Sequence, residues 1–86
     1  MLIRDKWKEL GGTKGYVPTG KEVAPGGSQE DLAYWVLASR IGDAFGSRPA
    51  TVGEIYYSVT RPMGMSSSDT VQLVQGAKKQ GYLKVE

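Results

Sequence analysis

The sequence contains neither cysteine nor histidine. Without cysteine there is no disulfide framework and no thiolate metal site. That absence fits a reducing, cytoplasmic setting. Without histidine the commonest general base, the commonest metal ligand and the side chain that titrates near neutral pH are all missing. No apolar run approaches the roughly 18 residues that a membrane-spanning helix needs, so no membrane is expected as a partner. The opening residues, Met1-Leu2-Ile3-Arg4-Asp5-Lys6, lack the apolar stretch and small-residue cleavage site of a secretory signal. Strong charge bias is missing too: 11 basic side chains meet 9 acidic ones, for a net charge of +2 over 86 residues.

What remains is enough for one small core. Hydrophobic residues make up 40% and charged residues 23%, a globular rather than a disordered composition. The charge is unevenly spread. Residues 1–27 carry five basic side chains against three acidic, residues 28–60 two against four, and residues 61–86 four against two. Basic ends flank an acidic middle, and a nucleic-acid face would gather the ends.

The chain divides near residue 27. Before it, Ile3, Trp7 and Leu10 make a short helical stripe that Gly11-Gly12 ends. Gly15, Pro18, Gly20, Pro25 and Gly26-Gly27 then punctuate a loop in which Tyr16-Val17 and Lys21-Glu22-Val23 form either a hairpin or an irregular arm. Docking of this arm through Ile3, Trp7 and Tyr16 is expected. After residue 27 the pattern is regular. Ser28 with Asp31 has capping-box spacing, and Tyr34, Leu37, Ala38, Ile41 and Phe45 form one apolar face, which predicts a helix over Gln29–Phe45. Ser47-Arg48-Pro49-Ala50 is a connector with room for a brief edge strand. Thr51 with Glu54 repeats the capping spacing, and Val52, Ile55, Tyr56 and Val59 predict a helix over 52–59. Residues 60–65 break it with Pro62 and Gly64. Ser66 with Asp69 opens a third helix, 67–80, that buries Thr70, Leu73, Val74 and Ala77, and Tyr82-Leu83-Lys84-Val85 leaves as a strand. The expected core contains Leu37, Ile41, Val52, Ile55, Leu73 and Val74.

Val52-Gly53-Glu54-Ile55, and Asp69 through Leu83 with its Lys78-Lys79-Gln80-Gly81-Tyr82 ending, carry a likeness at the level of residue types. Residues 29–86 resemble the winged helix-turn-helix superfamily. The resemblance implies a mainly α fold with a small β component: a three-helix domain with short strands, preceded by the arm. One strand follows the third helix, so the second wing strand is expected from residues 16–23, or the wing is vestigial. Gly76 interrupts the third helix at a cost of about 1 kcal/mol relative to alanine.

With Leu73, Val74 and Ala77 turned inward, Ser68, Asp69, Gln72, Gln75 and Lys79 point outward. Glutamine pairs bidentately with adenine in the major groove, which marks Gln72 and Gln75 as candidate base readers. Ser67 and Ser68 at the helix start, with Arg61, Lys78, Lys79 and Lys84, are candidate phosphate contacts. Asp69 and the lack of arginine on this helix argue the other way. Gly11-Gly12 and Gly26-Gly27 have no phosphate-loop spacing, and no catalytic constellation stands out, so neither an enzyme nor a cofactor or metal is expected.

The resemblance implies a small DNA-binding protein, monomeric or weakly dimeric. It would be a transcriptional regulator or an accessory recombination or replication factor, of a size found in bacteria, phages and mobile elements. The alternative is a protein-interaction module, an adaptor or inhibitor, in which an exposed aromatic such as Tyr57 or Trp7 is the anchor. Trp35 lies off the main stripe of its helix and is expected to pack rather than to mark a contact.

Overall fold

Ser28, Thr51 and Ser66 each start a helix by accepting a backbone N–H three residues on, at 3.1 Å from Asp31, Glu54 and Asp69 respectively. Asp31 and Glu54 return the favour to the backbone N–H of Ser28 and Thr51. Each cap satisfies a donor that a helix start otherwise leaves open, worth about 1 kcal/mol. The computed structural model describes residues 14–86, and its elements are β1 (Tyr16–Pro18), α1 (Gln29–Phe45), α2 (Val52–Ile55), α3 (Ser67–Lys79) and β2 (Leu83–Val85). The stripe Ile3, Trp7 and Leu10 lies outside the described residues. So does any docking through Ile3 and Trp7.

Among the described residues the fold is mainly helical, with one two-stranded antiparallel sheet. The partner of β1 is β2, in the register Tyr16↔Val85, Val17↔Lys84 and Pro18↔Leu83. Residues 21–23 form no strand, so the hairpin alternative does not occur. The reason is visible in the loop after β1. Thr19 N–H donates to Tyr82 O and Thr19 Oγ1 to Gly81 O, so the loop is bonded to the end of α3 instead of folding back on β1. On its other side Tyr16 exchanges both backbone hydrogen bonds with Ala50, at 2.8 and 3.0 Å. The connector 47–50 thus reaches the sheet through one residue.

The core sits where α1, α2, α3 and the sheet converge. Leu37, Ile41, Val52, Ile55 and Val74 are all buried there, with Tyr16, Ala50, Ala77, Tyr82 and Leu83. Leu73 is a correction: it is only partly buried. The buried face of α3 is centred on Thr70, Val74 and Ala77, which rotates Leu73 to the rim facing α1. Tyr56 is likewise half-buried against the core rather than inside it; Trp35, also half-buried, packs against the core, as expected.

The second helix departs most from a regular pattern. After Ile55 it widens into a π turn, Tyr56–Thr60, in which Arg61 N–H reaches back to Tyr56 O at 2.7 Å. The widening turns the adjacent Val59 and Thr60 inward together, and both are buried. Thr60 O then accepts from Met63 and Met65 N–H. Gly64 closes the turn at φ 86°, a conformation that costs glycine little.

Candidate nucleic-acid interface

The buried face of α3 fixes what its other face can offer. With Thr70, Val74 and Ala77 inside, Ser68, Gln72, Gln75 and Lys79 stand on the opposite side, and all four are exposed. α3 follows α2 through the turn at residues 61–64 and is held by a buried hydroxyl relay. Thr70 Oγ1 donates to Ser66 O at 2.8 Å and lies 2.5 Å from Thr60 Oγ1. With its proton committed to Ser66 O, Thr70 accepts from Thr60.

The candidate residues do not form one surface. Gln72 and Lys79 are on the outward face. Gln75 is exposed, but its amide makes a long 3.5 Å contact to the hydroxyl of the buried Tyr16, so it is partly tied to the sheet. Ser67 is half-buried beside the cap, Ser68 is exposed on the outward face, and Lys78 is exposed on the flank. Arg61 stands in the turn before α3 with its guanidinium 5.6 Å from the Tyr57 ring centroid. Lys84 is separated from the rest. Side chains alternate along a strand, so Lys84 shares the sheet face of Val17. The face of Tyr16 and Leu83 is the one turned to α3. Lys84 pairs with Glu86 at 3.5 Å and borders Gly46 and Ser47 at the end of α1.

Charge divides α3 lengthwise. Lys78 and Lys79 lie in its last turn. Lys21 joins them: its Nζ donates to Gln80 O at 2.6 Å and sits 4.7 Å from the Tyr82 ring centroid. Three cations complement the negative end of the helix there. The flank facing α1 is acidic, with Glu30 and Asp69 around the depression that Gln72 also lines. Lys21 was not legible as part of this surface, because nothing in its own loop signals that it caps a helix 59 residues away.

Among the described residues, two groups have shifted ionisation. The backbone N–H of Thr51 and then the Arg48 guanidinium hold the Glu54 carboxyl below its ordinary value. Burial and, second, the charge of Asp31 push the Tyr82 hydroxyl up. Neither touches the outward face of α3. A comparison with protein-family models, with curated proteins and with solved structures found no match.

Proposed function

We propose that this chain binds double-stranded DNA, laying the outward face of α3 in the major groove in the manner of a winged helix-turn-helix protein. The observation that carries this reading is a fully polar, exposed face, Ser68, Gln72, Gln75 and Lys79, on a helix whose opposite face is anchored in the core. The pairing of β1 with β2 supports it as well, because it supplies the second strand that a small wing needs.

In this reading Gln72 is the leading base reader, since its amide is not engaged with the sheet as that of Gln75 is. Ser67, Ser68 and Arg61 meet phosphate at one end of α3. Lys78, Lys79 and Lys21 meet it at the other. Lys84 contributes at most to the general field. The acidic flank of Glu30 and Asp69 sets the docking angle, because phosphates are repelled from that side. A small regulator or accessory recombination or replication factor is the role that suits such a chain.

Titration with random duplex DNA at two salt concentrations tests the proposal. A steep fall in affinity with salt supports it, since phosphate neutralisation releases counterions. No binding at low salt removes it.

A further inference from the structure

Beside α3 lies a second surface, an apolar groove that none of the residues assigned to DNA contact lines. Leu32, Val36, Met63, Met65 and Leu73 line a groove of about 420 Å³ between α1, the turn before α3, and α3 itself. Leu32 is 51% exposed and Met63 47% exposed. Large apolar side chains gathered in one concave patch mark an interaction surface more often than scattered ones do. Leu32 and Val36 are one helical turn apart, a second apolar strip beside the buried one. The two methionines are unbranched and polarisable, and adapt their packing to what they meet.

The rim has a sign. Met65 and Leu73 continue into the depression bordered by Glu30 and Asp69. At the other end Met63 adjoins Arg40 and Asp43. Glu30 and Asp69 form no ion pair among the described residues. Carboxylates beside an apolar groove attract cations and repel phosphates.

We propose that this groove docks an amphipathic helix of a partner protein, with an aliphatic face seated on Leu32, Met63, Met65 and Leu73 and lysines or arginines toward Glu30 and Asp69. Such helix-in-groove binding draws its affinity from the apolar anchors, while the charges set orientation and exclude acidic competitors. None of the residues assigned to DNA contact lines the groove itself, but Gln72 borders its acidic edge, so the two surfaces meet there.

The test uses the full chain and two short synthetic helical peptides with identical leucine stripes, one with lysine at the polar positions and one with glutamate. The lysine peptide should bind and shift the Met63 and Met65 methyl resonances, and the glutamate peptide should not. Leu32→Asp should weaken the lysine peptide at least about tenfold, although it adds an attractive charge; tenfold corresponds to about 1.4 kcal/mol. Met63→Glu, at an equally exposed position, repeats the test should Leu32→Asp fold poorly.

Unchanged or tighter binding to these variants would reduce the effect to bare charge attraction and overturn the proposal. A dimer of the free protein that Leu32→Asp dissolves would make a second copy the occupant. Contacts between the Trp7 ring and the Met63 or Met65 methyls in the free chain would assign the groove to the chain's own first residues. Either result overturns the partner assignment.

Discussion

The Tyr34 ring of α1 lies directly on the backbone of α3 at Gly76. A methyl group added there would stand 2.5 Å from the tyrosine Oη and 2.7 Å from Cζ and Cε1. The glycine that weakens α3 as an isolated helix is what lets α1 approach it. Tyr34 in turn leans on Tyr82, ring centroids 6.1 Å apart, so it cannot swing away without cost.

Gly76→Ala therefore sets two effects against each other. Helix propensity gains about 1 kcal/mol, while forcing the ring aside costs about 1–3 kcal/mol. Net destabilisation is expected by chemical denaturation. In a Tyr34→Ala background the sign should reverse, since only the propensity gain is left. A double-mutant cycle measures that coupling.

Thr60 and Thr70 are both fully buried, and their hydroxyls are each other's partners. Thr70→Val leaves the Ser66 carbonyl without that donor and Thr60 Oγ1 with only its long 3.5 Å bond to Tyr56 O. It should cost about 1–3 kcal/mol. Adding Thr60→Val should cost clearly less than a second such loss, because the hydroxyl left with only its long bond to Tyr56 O goes with it. Equal, additive losses would show that the relay is not a unit.

Ile55 has no exposed surface and Leu73 lies on the groove rim. Ile55→Ala should lose about 2–5 kcal/mol, the range for fully buried aliphatic truncation. Leu73→Ala should lose less than half as much. Comparable losses would place Leu73 in the core after all.

Glu54 makes stability depend on acid. Its folded carboxyl titrates below the ordinary value of 4.5. The stabilisation is thus complete above the unfolded value and lost as pH falls through the folded one. The side chain is 39% exposed, so solvent screening keeps the effect small. Melting temperature should fall on acidification below about pH 5, and Glu54→Gln should flatten part of that fall.

For the DNA reading, Gln72→Ala should relax sequence preference by roughly 1–3 kcal/mol of discrimination. Lys79→Gln should weaken all sequences alike and lower the salt slope by about one. Gln75→Ala is the less clean variant, because it also removes the amide at the Tyr16 hydroxyl. A Lys84 variant should change the slope least. Electrophoretic mobility shifts over a salt series separate these outcomes.

The helices were legible because their signals are local. Capping residues, apolar stripes and closing glycines act within one or two turns, and α1 is found at Gln29–Phe45, as its pattern predicts. The outward face of α3 followed from the same periodicity. Helical spacing also placed Leu73 in the core, but it could not fix the rotation of α3, which packing settles by burying Thr70, Val74 and Ala77.

The amino-acid order by itself determined three capped helices, a closing strand and the absence of thiol and imidazole chemistry. Only the tertiary structure decided that β1 pairs with β2 rather than with residues 21–23, and that Lys21 closes α3. It also turned Gly76 from a defect into a contact, set Lys84 apart, and left an apolar groove with an acidic rim beside α3. The physical reason is range. Capping and periodicity act between neighbours in the chain, whereas strand pairing, close helix approach and charge placement join residues tens of positions apart, which no local pattern encodes.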